Sequence, residues 1–108
     1  MATKETRSVD RLEFMRTLAE AGIVNFLVID LETAKAVLTD KRLEILETVR
    51  DESVNSVTDL ANTLGRDKAA VSRDLDLLRL NDMIEFRREG SRKIPLLKHE
   101  TVIVEPLL

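Results

Sequence analysis

The chain has 108 residues, which is enough for one domain with a modest core and too few for two ordinary domains. Hydrophobic residues make up 44% of it, but Trp and Tyr are absent and there are three Phe, so the core must be aliphatic. The absence of cysteine excludes disulfides, thiolate metal ligands and a cysteine nucleophile, and no apolar run approaches the roughly 20 residues that cross a bilayer. We therefore expect a cytoplasmic protein without membrane contact, and a core this thin favours a homodimer.

The net charge of −3 conceals an uneven distribution along the chain. Residues 66–98 contain nine Lys or Arg against six acids, whereas residues 1–65 contain eight bases and twelve acids. The local field around a patch attracts a charged ligand more effectively than the summed charge of the protein does. The basic segment therefore predicts a surface that faces phosphate groups.

Apolar residues at three- and four-residue steps predict a helix near the start of the chain. Its stripe of Leu12, Met15 and Leu18 has little else to cover it in so small a protein. We therefore expect these three side chains to form a dimer interface. On this basis the chain divides into an N-terminal dimerisation helix, residues 1–23, and a second domain, residues 24–108.

Short apolar runs and helix signals alternate in the next segment. The run Phe26–Ile29 is interpreted as a buried strand, although a run this short also fits a helix. Asp30 and Thr39 are N-cap candidates, which predicts one helix over residues 31–38 and another that begins at residue 40. The apolar side chains expected on the buried face of the later helix are Leu43, Ile45, Leu46 and Val49.

Two helix signals separated by a tight turn follow. Close crossing of two helices needs a small residue in the first, a glycine in the turn and a branched apolar residue in the second. Ala61, Gly65 and Val71 supply these in that order. The N-cap candidates are Ser56 and Asp67, and the expected helices cover residues 57–64 and 68–80. The pattern predicts a helix-turn-helix, with a simple helical hairpin as the alternative.

The second of these helices, residues 68–80, has the composition of a recognition helix. Its early polar positions lie away from the apolar stripe, and such positions reach base edges in the major groove. Arg73 is the best candidate to bind a guanine through two hydrogen bonds. Asp74 and Asp76 favour the alternative of a solvated helix face, because carboxylates repel phosphate. The candidate DNA-binding residues here and in the preceding turn are Arg66, Lys68, Ala69, Ser72 and Arg73.

The apolar period changes after residue 82, which predicts a β-hairpin over about residues 83–98. Basic residues flank its turn at Gly90 and Ser91, an arrangement that places cations on the DNA backbone or in the minor groove. Pro95 restricts the returning strand, expected over residues 93–98, to a sheet edge. The candidate DNA-binding residues of this wing are Arg87, Arg88, Arg92 and Lys93. An ordinary charged surface hairpin is the alternative.

These segments together resemble a group of small, mostly archaeal, predicted transcriptional regulators of the ArsR/MarR-like winged helix-turn-helix class. The resemblance covers roughly residues 24–105, including a last short strand at Val102–Val104. The stretches that carry it are 38–46 (LTDKRLEIL), 60–67 (LANTLGRD), 71–75 (VSRDL) and 89–93 (EGSRK). It implies a mainly α fold with a small β-hairpin wing (α+β), double-stranded DNA as the ligand, and homodimers. The metal-sensing branch of the ArsR class needs Cys or His clusters, which this sequence lacks, so we expect no metal.

Nothing in the sequence points to catalysis. His99 and Glu100 form an isolated pair of a kind typical of surfaces, and there is no Gly-rich phosphate loop, HExxH motif or nucleophile elbow. We therefore expect a dimeric, sequence-specific DNA-binding regulator without enzymatic activity or cofactor. Two alternatives stay open. One is a winged-helix adaptor that binds proteins, which the net acidity favours, and the other is an antitoxin-like protein that binds both DNA and a protein partner.

Overall fold

The structure is a computed structural model that describes the backbone of residues 4–105 and the side chains of residues 12–105. Within these residues the elements are α1 (Lys4–Glu20), β1 (Phe26–Ile29), α2 (Leu31–Val37), α3 (Asp40–Asp51), α4 (Val57–Leu64), α5 (Lys68–Leu80), β2 (Ile84–Glu89), β3 (Arg92–Leu97) and β4 (Thr101–Val104). The expected mainly helical fold with a small β-hairpin is confirmed. Phe26–Ile29 is a strand, so its helical alternative is excluded. No helix among the described residues is long and apolar enough to span a membrane.

Side-chain caps explain where four of the helices begin. Each cap accepts a hydrogen bond from the backbone N–H three residues later, at 2.9 to 3.3 Å. These bonds satisfy N–H groups that have no partner inside the helix. The capping residues are Asp30, Thr39, Ser56 and Asp67, all four as expected from the sequence. The hydrogen bonds from Thr33 also lower the pKa of the Asp30 carboxyl below its ordinary value.

A glycine ends α4 and makes the turn into α5. Gly65 has φ 64° and ψ 36°, the left-handed conformation that residues with a side chain rarely adopt. Its N–H donates to the carbonyl of Asn62 at 3.2 Å, and the N–H of Arg66 donates to the carbonyl of Ala61 at 3.0 Å. These two bonds satisfy carbonyls at the end of α4 and let α5 begin three residues after the glycine.

The core lies between α3, α4, α5 and the hairpin, and it is aliphatic as the composition predicts. The fully buried aliphatic side chains at its centre are Ile45, Leu60, Val71, Leu75, Leu78 and Ile84. Leu43 is 38% exposed, so the expectation that it shares the buried face of α3 is wrong. Residues two apart lie about 200° apart around a helix, so Ile45 and Leu43 cannot both face α4 and α5.

The hairpin is an antiparallel sheet formed by β2 and β3. Glu89 lies opposite Arg92, and residues 90 and 91 form the turn. β3 begins at Arg92, one residue before the expected start. Pro95 is buried opposite Phe86, and it is accommodated because each strand of a two-stranded sheet has a free edge.

A second small sheet closes the winged domain. β1 and β4 pair in parallel, with Phe26 opposite Thr101 and Ile29 opposite Val104. The whole of the helix-turn-helix and the wing therefore lies between two paired strands. This pairing brings the segment that follows α1 next to the segment that follows the wing.

α1 projects from the packed domain. Among its described side chains, residues 12–20, Leu18 is half-buried and the others are exposed. The Cα radius of gyration of the structure is 16.5 Å, compared with about 13 Å for a compact domain of this length. The apolar residues of α1 therefore have little cover within one chain.

Candidate nucleic-acid interface

A groove separates α5 from the tip of the hairpin and is closed at one end by the start of α4. We call it the wing groove, and its volume is about 390 Å³. Its lining residues are Ser56, Val57, Thr58, Lys68, Ser72, Ser91, Arg92 and Lys93. Three cationic side chains and four hydroxyl groups line it, and none of the lining residues is acidic. Ammonium, guanidinium and hydroxyl groups all donate hydrogen bonds to phosphate oxygens, so the groove suits an anionic backbone.

The outward side of α5 carries the residues predicted to contact DNA. Its buried stripe is formed by Val71, Leu75 and Leu78. Lys68, Ala69 and Arg73 are exposed on the opposite side, and Ser72 is half-buried at the edge of the wing groove. The structure therefore leaves these four positions accessible to a ligand.

Arg73 has a free guanidinium within the part of the chain that the structure describes. The ion pairs with Asp76 or Asp59 that would give it a structural role are not formed among these residues. Asp59 accepts a hydrogen bond from the backbone N–H of Asn55 at 2.9 Å instead. That carboxylate caps the start of α4, one residue before the position expected of a capping box.

Asp74 does not belong to the outward side of α5. One carboxylate oxygen accepts a hydrogen bond from Arg42 Nε at 3.1 Å, and the other accepts one from Arg66 Nη2 at 2.8 Å. The Arg42 guanidinium also donates to the last two carbonyls of α2. Asp74 is 15% exposed and neutralised by two cations, so it does not repel phosphate as the sequence suggested. Asp76 stays exposed.

Arg66 holds the turn between α4 and α5 in place. Its side chain is 14% exposed, and its Nη2 atom is bonded to Asp74. Its Nη1 atom is buried and has no hydrogen-bond partner among the described residues. This position gives Arg66 a packing role, and its contact with DNA stays a prediction.

The wing arginines form ion pairs with a single glutamate. Arg87 Nη2 lies 3.1 Å from one carboxylate oxygen of Glu89, and Arg92 Nη2 lies 3.4 Å from the other. All three side chains are well exposed, and exposed ion pairs stabilise a protein by about 0–1 kcal/mol. Both arginines can therefore exchange the carboxylate for a phosphate at little cost.

Lys93 and Arg88 face each other across the two strands of the wing. The ammonium of Lys93 lies 4.3 Å from the centre of the Phe86 ring, which holds it by a cation–π interaction. At the base of the wing, Lys98 Nζ lies 2.9 Å from a carboxylate oxygen of Asp82. This hydrogen bond lowers the pKa of the Asp82 carboxyl and ties the end of β3 to the loop after α5.

Two residues of the wing groove were not anticipated from the sequence. Thr58 lies in the first turn of α4, and Ser91 lies in the turn of the wing. Their hydroxyl groups meet across the groove because α4 packs against α5 and the wing folds back beside it. Small polar residues in a turn carry no local signal of such a contact.

The residues predicted to form a dimer interface lie on α1. Leu12 is 62% exposed and Met15 is 38% exposed, whereas Leu18 is half-buried. Two apolar side chains are therefore open to a second molecule. Their part in a dimer stays a prediction.

Comparison with solved structures shows the same architecture. HlyU from Vibrio cholerae is 27% identical, with a TM-score of 0.55 over 61% of this chain and 71% of that chain. Reduced HlyU is 24% identical, with a TM-score of 0.56 over 82% of each chain. Mb0332 from Mycobacterium bovis is 23% identical, with a TM-score of 0.57 over 93% of this chain and 78% of that chain. The last is described as a homodimeric winged helix-turn-helix DNA-binding domain of a possible ArsR-family transcriptional regulator.

These similarities confirm the winged helix-turn-helix fold and the likeness to ArsR-type proteins, whereas the MarR likeness and an archaeal origin stay predictions. The sequence has no significant match among curated proteins. A protein-family model, HVO_A0114, matches residues 37–104, which span α3 to β4. The chain therefore belongs to the HVO_A0114 family.

Proposed function

We propose that the protein is a sequence-specific, double-stranded DNA-binding transcriptional regulator that acts as a homodimer. The observation that carries this proposal is the wing groove, where Lys68 and Ser72 of α5 face Arg92 and Lys93 of the wing. Phosphate contacts on the flank of a helix fix its position, so that its outward side can contact base edges. The similarity to the homodimeric DNA-binding domain Mb0332 supports the proposal.

In this proposal α5 is the recognition helix and the β2–β3 hairpin is the wing. Residues 24–108 form the DNA-binding domain, and residues 1–23 form the dimerisation element. Two recognition helices in a dimer bind half-sites about 34 Å apart, one turn of DNA. The protein acts in the cytoplasm by binding alone, without catalysis, metal or cofactor.

The proposal is tested by an electrophoretic shift of the full chain on pooled genomic duplex fragments at about 50 and 200 mM salt. We expect a subset of fragments to shift, and six or more phosphate contacts to weaken binding at least about a thousandfold between these salt concentrations. A Lys68→Ala/Arg92→Ala variant should bind more weakly and keep the melting temperature of the wild type. An adaptor that binds proteins predicts no shift at either salt concentration, and that result would overturn the proposal.

A second candidate is an antitoxin-like protein, which adds a protein partner to the same DNA-binding domain. It is favoured by α1, where Leu12 and Phe14 are 62% and 50% exposed. Light scattering of the purified chain separates the candidates. A homodimer uses the α1 surface for itself, whereas a monomer at tens of micromolar leaves this surface for another protein.

A further inference from the structure

A second groove lies on the other side of α5, between α5 and the start of α3. We call it the α3 groove, and its volume is about 490 Å³. Its lining residues are Thr39, Asp40, Lys41, Arg42, Arg66, Ala70, Arg73 and Asp74. The wing groove shares none of these residues, so α5 is bordered by two separate polar grooves.

Positive charge dominates the α3 groove once its internal ion pairs are considered. Arg42 and Arg66 share Asp74, which leaves one net positive charge among these three residues. Lys41 and Arg73 are exposed, and neither has a hydrogen bond or ion pair with a described residue. The one other acid is Asp40, which is exposed at the mouth of the groove. The Nη1 atom of Arg66 adds a donor without a partner among the described residues.

The dimensions of DNA explain why a recognition helix needs cations on both flanks. An α-helix with its side chains is about 10–12 Å across, and the major groove of B-DNA is about 12 Å wide. The helix therefore fills the groove, and one sugar-phosphate backbone runs along each of its sides. The wing groove faces one of these backbones, whereas the α3 groove lies on the side of the other.

We propose that the α3 groove binds a backbone phosphate of the DNA strand opposite to the one that the wing contacts, with Lys41 as the main contact. This inference rests on the proposed DNA-binding function and adds a contact on α3, outside the helix-turn-helix and the wing. Lys41 and the wing then hold α5 from both sides. Asp40 opposes the phosphate, so its charge reduces the affinity.

The test uses fluorescence anisotropy of the full chain with a duplex that shifts in the assay above, over a range of salt concentrations. Lys41→Ala should weaken binding about three- to tenfold at low salt and reduce the slope of log affinity against log salt by about 0.9. Asp40→Asn should strengthen binding. The matched control is Arg50→Ala, which removes one positive charge from the other end of α3, where Arg50 pairs with the adjacent Asp51 at 2.7 Å. It should leave affinity and slope unchanged.

If Lys41→Ala has the same affinity and salt slope as Arg50→Ala while the wild type binds DNA, the α3 groove does not bind phosphate and the proposed function stands. Weaker binding with an unchanged slope also overturns the inference, because it indicates a structural role for Lys41. If the wild type binds no duplex, the proposed function and this inference fail together.

Discussion

Arg73 and Asp74 are adjacent in the sequence and have opposite environments on α5. Consecutive residues lie about 100° apart around a helix, so Arg73 points to solvent and Asp74 points toward α3. Arg73 is free to bind a ligand, whereas Asp74 accepts hydrogen bonds from two arginines. Ligand contact and packing are therefore assigned to different sides of one helix.

Arg73→Ala should reduce sequence discrimination without affecting the fold. A guanidinium bonded to guanine N7 and O6 discriminates between bases by about 1–3 kcal/mol. We therefore expect the ratio of affinities for operator and random DNA to fall roughly ten- to a hundredfold. The melting temperature should stay within about a degree of the wild-type value, because Arg73 has no partner among the described residues. Both quantities are measured on the same preparation.

The control for this prediction is Arg79→Ala, which removes the same charge from the last turn of α5. It should leave the affinity ratio unchanged, because the last turn lies far from the residues that reach base edges. A lower melting temperature in Arg73→Ala with an unchanged affinity ratio would show that Arg73 stabilises the helices instead of contacting bases.

Asp74→Asn should destabilise the protein strongly. The change leaves Arg42 and Arg66, both mostly buried, without their shared carboxylate. Removing one partner of a buried ion pair costs roughly 3 kcal/mol or more in the free energy of unfolding. Asp76→Asn, an exposed change on the same helix, should alter this free energy by about 0.5 kcal/mol or less. Urea denaturation of both variants checks the prediction, and equal values would mean that the ion pairs contribute little.

At the scale of the elements, the sequence predicts the helices better than their contacts. The bounds of α4 and α5 agree with the expected ranges, because Ser56, Gly65 and Asp67 act within three residues of their own position. The start of β3 is wrong by one residue, because the length of the turn depends on strand pairing as well as on Gly90.

Contacts between distant parts of the chain could not be predicted in this way. Phe26 and Thr101 pair although 75 positions separate them, and Arg42 bonds to Asp74 across 32 positions. No local pattern shows which arginine reaches which acid. For the same reason Asp74 was expected to oppose DNA binding, whereas the fold removes it from that surface.

The wing is the element expected to supply affinity that is independent of sequence. Arg92→Ala should weaken binding to operator and random DNA alike, because Arg92 lines the wing groove beside residues suited to phosphate. Each lost phosphate contact lowers the magnitude of the log–log salt slope by about 0.9. Anisotropy titrations at four salt concentrations measure it, with Arg50→Ala as the charge control. A change of sequence preference at a constant salt slope would show that the wing contacts bases.

At the scale of the whole molecule, the charge distribution explains how an acidic protein can bind DNA. The acids of residues 1–65 outnumber the bases, but the two grooves beside α5 collect cations from α3, α5 and the wing. The field at a binding surface falls off within about 10 Å in physiological salt, so distant acids have little effect on it. The net charge of −3 therefore gives weak support to the adaptor alternative.

The projection of α1 leads to the prediction that the protein is a homodimer. Leu12 and Met15 lie three residues apart on one face of a helix that the rest of the chain leaves largely uncovered. We expect light scattering at tens of micromolar to give twice the mass of the chain. Leu12→Glu/Met15→Glu should give the monomer mass, because burying carboxylates in an apolar interface is unfavourable. Its affinity for a DNA with two half-sites should fall about a hundredfold or more, since each domain then binds alone.

The control is Glu13→Gln/Arg16→Gln, which changes two exposed polar residues of the same helix and should keep the dimer mass. Deletion of residues 1–22 provides a second variant in case the double substitution disturbs α1 itself. It should also yield a monomer, one that still binds a single half-site, because the core and both grooves lie outside α1. A truncated chain that remains a dimer would place the interface elsewhere. The free edges of the β1–β4 sheet would then be the next surface to test, because unpaired strand edges can pair with a second copy.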